Sequence, residues 1–449
     1  MSDLLLTRSL GTRIERPCEP PHGLHAQFDL LVASGGGAGS PLHPAPHEIW
    51  FSSTNAIAPS PFARTAGMMA LARLMEREEA PGLNLSRWFE GLRAHIAASF
   101  GAPDTVVLLA PGVAAARDLA RAVAWSIHGK ASWELSAGAA ESQDMTLEEG
   151  AVDIALRFSD GSPRAAHLID QAALQAARVM GGPLLIHLLD QSRSGLCGLG
   201  RDCAQAIADR HAALTLVDAS MMRAPPERLR ADLAAGRMVL ISGSTFLGGH
   251  GSSAALLIPA KLMTRLRHAA PEALLLNVAC SDMEPRWRER FCGPGAPRLN
   301  IGLGLRWSAA LAELDRYLCM PEAMRAAVLA LFVRKVRSRL SRCDLIDAID
   351  EGTGSGVTPL SLHDVSVEEA ERLRAALAAS RDTPGDAACH LGAAMTLGDQ
   401  IVGLPISASA PMVSDVADRI AKGVTFERAF APIQRDIDTL FAKLERVRG

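Results

Sequence analysis

Lysine is scarce in this chain, with five residues in 449, at positions 130, 261, 335, 422 and 443. Tyrosine occurs once, as Tyr317, and aromatic residues make up 4% of the total. A net charge of −3 supplies no basic footprint for nucleic acid, and so few aromatics leave no platform for stacking bases. Long apolar runs are also missing. The longest, such as residues 254–259, fall far short of the ~20 residues a bilayer-spanning helix needs. The opening MSDLLLTRSLGTRIERP has no apolar core of signal-peptide length. Eight cysteines contain no CxxC pair, which predicts a reduced, cytoplasmic protein.

Several familiar motifs are absent as well. There is no G-x-S-x-G elbow and no P-loop. The group Cys18, His22, His25, His43 and His47 is spaced too irregularly among prolines to predict a tetrahedral metal site. Residues 35–39 (GGGAG) follow a strand-like 28–33, but SPLHPAP comes next and cannot open a helix. This glycine run is therefore a loop, not a dinucleotide fingerprint. The glycines at 352, 354 and 356 precede a strand and also read as a turn.

What the chain does have is alternation. Residues 1–48 read as an extended N-terminal arm. From about residue 50, helical patterns at 65–79 and 85–100 lead to an apolar strand at 105–110. Helices at 113–127, 167–180, 201–213 and 226–235 then alternate with strands at 152–158, 183–189, 214–217, 238–242 and 254–258. Short apolar strands separated by helices predict a mainly parallel sheet covered on both faces. After about residue 290 come long helices at 305–319 and 322–341. Strand-like pieces at 356–362 and 401–409 follow, with helices at 367–379 and 412–447. We therefore expect an arm (1–48), a large α/β domain (49–290) and a small α+β C-terminal domain (291–449).

In open α/β sheets, ligands sit beyond the carboxyl ends of the strands. Here those ends carry Pro111-Gly112-Val113, then Asp190-Gln191-Ser192-Arg193-Ser194-Gly195, then Asp218-Ala219-Ser220. The last is Ser242-Gly243-Ser244-Thr245-Phe246-Leu247-Gly248-Gly249. The run LTLVDASMMRAPPERLRADLAAGRMVLISGSTFLGGHGSSAALLIP (214–259) resembles fold-type-I enzymes dependent on pyridoxal phosphate (PLP). The likeness is to the branch of class V aminotransferases and cysteine desulfurases. FSSTNAIAPSPF (51–62), HLLDQSRSGL (187–196) and NIGLGLRWSAALAEL (300–314) extend it over most of the chain.

The resemblance implies roles for particular residues. Asp218 takes the place of the aspartate that holds the pyridine nitrogen and lets the ring act as an electron sink. Ser242, Ser244, Gly112 and His187 are the other cofactor-side positions it suggests. Thr245 stands where the Schiff-base lysine is expected, and a hydroxyl cannot form an imine. The phosphate turn reads Gly112-Val113-Ala114, without the hydroxyls usual there. The substrate-clamping arginine is replaced in Leu404-Pro405-Ile406-Ser407 by a proline, which has no donor. Arg64, Arg193, Arg223 and Arg306 are alternative clamps that nothing in the sequence chooses among. His250, Asp190 and the Cys389-His390 pair are further candidates, each with a packing or loop role as the plainer alternative, and Lys261 reads as a surface residue.

Three departures in three segments point to a pseudoenzyme with no covalent cofactor. Its expected role is a scaffold or regulatory partner, working as a homodimer or with a paralogue of the same fold. The alternative is a repurposed cleft, using lysine-independent chemistry or holding PLP or pyridoxamine phosphate (PMP) without a covalent link.

Overall fold

The computed structural model describes residues 23–33, 48–55, 57–76, 81–129, 133–142, 145–268, 300–342, 356–379 and 386–448. Helix α1 (Leu24–Ala33), strand β1 (Ile49–Phe51), helix α2 (Pro61–Met75) and helix α3 (Pro81–Ser99) precede the main sheet. That sheet is built from β2 (Val106–Ala110), β3 (Trp133–Ala137), β4 (Val152–Ile154), β5 (Leu184–Leu189), β6 (Ala213–Asp218), β7 (Met238–Ser242) and β8 (Ala254–Ile258). The strand order is β2-β8-β7-β6-β5-β3-β4. Neighbours from β7 to β4 run parallel, and β8 alone is antiparallel to both its partners. A parallel return needs a crossover, usually a helix. The β7–β8 connection at 243–253 holds no helix, and β8 comes back reversed.

Helices α4 (Val113–His128), α5 (Ala166–Met180), α6 (Arg201–Arg210), α7 (Pro226–Ala234) and α8 (Ala260–His268) connect these strands or follow the last of them. Strands β2, β5, β7 and β8 are buried along their whole length, as a sheet covered on both faces requires. Alternate residues divide between two cores. Val107, Ile186, Val217 and Val239 belong to the larger one. Leu108, Leu185, Leu216 and Leu240 belong to a second, which α4 and α8 cover.

The remainder comprises α9 (Ile301–Leu318), α10 (Glu322–Leu340), β9 (Val357–His363), α11 (Val367–Ala378), β10 (Cys389–Leu391), β11 (Met395–Gly398), β12 (Ile401–Ser407), α12 (Ala410–Ala421) and α13 (Phe426–Arg448). Strands β11, β12 and β9 form a separate antiparallel sheet, while β10 pairs in parallel with β1.

Three expectations need correction. The strand-like 28–33, placed in an extended arm, is part of helix α1. Leu24, Phe28 and Val32 fall four apart and bury one helical stripe, a period that outweighs the local β propensity. The single helix expected over 412–447 is two helices, separated at Gly423, whose φ of 84° is one that L side chains rarely adopt. Strand β3 was not anticipated. Its Glu134 and Ser136 look like solvent residues in sequence but are buried. The glycine run at 35–39, the metal candidates other than His25, Lys130 and the expected boundary at residue 290 lie outside the described residues.

Candidate functional site

Strand parity decides which side chains meet. Asp218 follows Leu216 on β6, and His187 follows Leu185 on β5, so both project to the face under α4. Glu134 on β3 shares that face, because its neighbour Leu135 belongs to the opposite core. Helix α4 presents Arg117 and Arg121 one turn apart, on a surface otherwise lined by Ala116, Leu119, Ala120 and Val123. Each arginine reaches one of the two carboxylates.

Arg117 Nη2 donates to Asp218 Oδ2 at 2.8 Å, with side-chain exposures of 1% and 4%. The Ser142 hydroxyl donates to the same oxygen at 3.3 Å. On the other side, the Ser220 amide donates to Asp218 Oδ1 at 3.0 Å, and the Ser220 hydroxyl adds a further bond. An ionised carboxylate offers about four lone-pair sites, and four protein donors address this one. Burial alone would push the Asp218 carboxyl up, but Arg117 and Ser220 hold it below the usual range, so it is ionised. These donors do not fit a pyridine nitrogen at Asp218, which would need a free lone pair.

The second cluster lies beside the first. Arg121 Nε donates to Glu134 Oε1 at 2.6 Å and Nη2 to Oε2 at 3.1 Å, in a bidentate pair. His187 Nε2 lies 3.2 Å from Glu134 Oε2. Despite its burial, Glu134 is held down to about 2 by His187 and Arg121. The His187 pKa is lowered, chiefly by burial, so a neutral imidazole is favoured. His187 is thus a buried neutral neighbour of the Arg121–Glu134 ion pair.

The remaining candidates have protein partners. Thr245 is fully buried and its hydroxyl donates to the Ser220 carbonyl at 2.7 Å. The Ser242 and Ser244 hydroxyls bond to each other at 3.0 Å. Gly112 begins α4 without a side-chain cap. Asp190 is paired with Arg201 at 2.6 Å. Arg64 grips Asp29 of α1, and Arg306 donates to the Val32 carbonyl at the end of the same helix. Arg193 bonds the Ala393 carbonyl. Arg223 donates to Ser53 Oγ at 2.6 Å and lies over the Phe246 ring. Pro405 sits in β12 opposite Pro359. His390 stacks on Trp50 at 3.8 Å, Cys389 is buried, and Lys261 donates to the Ala234 carbonyl at the end of α7.

His250 is buried with its ring edge-on to Phe28 of α1, 5.4 Å between centroids. It also has a φ of 68°, and Met222 and Ser252 share the left-handed region at 54° and 62°. Backbone strain of this kind gathers at functional sites. Among the described residues three of the four such non-glycine positions surround the carboxyl ends of β6 and β7, and the fourth, Asp364, follows β9.

Sequence reasoning missed Arg117, Arg121 and Glu134. The trace they leave is two arginines four apart on an otherwise apolar helix face, with a lone glutamate in the following strand. Glu313 on α9 was missed as well. It has no exposure, accepts the Ser60 hydroxyl, and burial pushes it up to about 7. Among the described residues, no group of His, Cys, Asp or Glu is arranged to hold a metal ion.

The mainly parallel sheet covered by helices matches a PLP-dependent aminotransferase-like fold. Solved structures share it. A NifS-like protein from Rickettsia africae superposes with a TM-score of 0.56 at 13% identity, covering 90% of this chain and 99% of its own. An alanine–glyoxylate aminotransferase from Nostoc superposes at 0.57 and 12% identity, covering 91% and 97%. A pyridoxamine–pyruvate aminotransferase from Mesorhizobium loti gives 0.52 at 14%, covering 90% and 99%. No family model matches the chain, and no curated protein matches it. At these identities the likeness concerns the fold.

Proposed function

We propose that this chain is a catalytically degenerate PLP-transferase-like protein, a pseudoenzyme that serves as a scaffold or regulatory partner. The observation that carries the reading is Thr245. It stands in the loop after β7, where the resemblance puts the imine-forming lysine, and its buried hydroxyl is committed to the Ser220 carbonyl. The described lysines lie elsewhere. Lys261 is in α8, Lys335 in α10, Lys422 caps α12, and Lys443 in α13 donates to the Ala379 and Ala387 carbonyls.

The scaffold pairs with itself or with a paralogue of the same fold, as an amino-acid or secondary-metabolism enzyme's companion. A cytoplasmic setting belongs to the proposal. It is supported by free cysteines at 197, 203, 319 and 389.

Reductive trapping tests the proposal. The full chain is incubated with PLP, reduced with borohydride, and analysed by mass spectrometry after digestion. The reading predicts only scattered, substoichiometric modification of surface lysines. A single lysine modified one-to-one would overturn it, because another amine would then have taken over the imine.

A further inference from the structure

We propose that Arg117 is an internal replacement for the cofactor ring: its guanidinium neutralises Asp218 as a pyridinium would, so the folded state is complete without PLP. The inference deepens the pseudoenzyme reading but rests on a different group, the aspartate in place of the missing amine.

The geometry supports it at each contact. A pyridinium N–H is a planar, cationic single donor, and Arg117 Nη2 supplies a donor of the same charge to Asp218 Oδ2 at 2.8 Å. Ser142 bonds that oxygen too and also receives Arg117 Nη2 at 3.4 Å, so the three groups form a closed triangle. The opposite oxygen is taken by Ser220. Removing an aspartate's cationic partner from a buried site leaves a charge the interior does not tolerate. An enzyme emptied of its ring would face that cost, whereas this chain does not. Arg117 is also held from a position that precludes easy withdrawal. It stands on the second turn of α4, a helix packed on the sheet through Val113, Ala116, Leu119 and Ala120. One turn on, Arg121 repeats the arrangement with Glu134.

The test joins a double-mutant cycle to a titration with PMP. PMP carries the ring and phosphate but no aldehyde, so it reports on Asp218 whatever the lysines do. Thermal midpoints are measured for the full chain, Arg117→Gln, Asp218→Asn and the double variant. Each single substitution lowers the midpoint by about 3–5 °C, because one buried charge loses its partner. The double variant recovers at least half of the combined loss. Additive losses would overturn the proposal. In the unmodified protein, PMP gives no saturable heat and no rise in midpoint. Saturable PMP binding that Asp218→Asn abolishes would also overturn it, even if Arg117→Gln fails to fold. Reductive trapping can fail independently, so the two readings are separable.

Discussion

Glu313 is a carboxyl group with no exposure whose pKa is raised to about 7, mainly by burial. In the unfolded chain it titrates near its ordinary 4.5. Between those values the folded state binds a proton that the unfolded state has released, so stability falls as pH rises through the window. The loss, on the order of 3 kcal/mol, is complete above about pH 7. Glu313→Gln removes the titration. Its thermal midpoint relative to the parent is expected to improve from pH 5 to pH 8, and an unchanged difference would show that Glu313 ionises at no cost. Thr245→Val keeps the shape and loses the hydroxyl that bonds Ser220. It is expected to destabilise by about 1–3 kcal/mol in denaturant unfolding, as a buried carbonyl loses its donor. Glu134→Ala strips Arg121 of its bidentate partner beneath α4 but leaves it Asp118 and the Thr146 carbonyl, with an expected loss of at most about 3–5 kcal/mol in the same assay.

Helix α1 is an element held by close approach. Its Leu31 carbonyl lies directly over Gly302 of α9, where a Cβ would collide with backbone that cannot step aside. Gly302→Ala is therefore expected to loosen α1. Amide exchange in Leu24–Ala33 should accelerate while β5 and β6 stay protected; equal protection in both proteins would contradict that packing. The legibility of elements in the sequence followed the strength of their periodicity. Strands β7 and β8 were bounded correctly because they are uninterrupted apolar runs between turn residues. Helix α11 was placed within a residue, its start marked by the Ser366–Glu369 capping box. Strand β3 was illegible, since Glu134 is tolerated inside only through Arg121 and His187, from elements distant in sequence. The site followed the same rule. Asp218 and Thr245 were visible because one ends a strand and the other lies in a strand-end loop. Arg117 was not: two arginines four apart on an apolar helix face hint at an inward pair, but the carboxylate that Arg117 meets comes from a strand 101 residues away.

At the scale of the whole molecule, the sheet and its strand-end loops have the arrangement of an aminotransferase-like fold, and ion pairs occupy the ground beneath α4. Two buried arginine–carboxylate pairs do little for net stability relative to apolar packing, but they make the arrangement intolerant of a lost partner. The proposed scaffold pairs with a second chain. Light scattering on the purified full chain should give twice 47.5 kDa for a homodimer, and a 47.5 kDa species would leave only a different subunit as companion. The most direct test of the central claim is an absorbance titration of the unmodified protein with PLP. The account predicts no saturable change: the spectra depart from the sum of protein and free PLP only by a weak, non-saturating contribution from surface lysines. A saturable shift to an imine band, reaching one equivalent per chain, would show that the cleft still takes its cofactor and would contradict the pseudoenzyme.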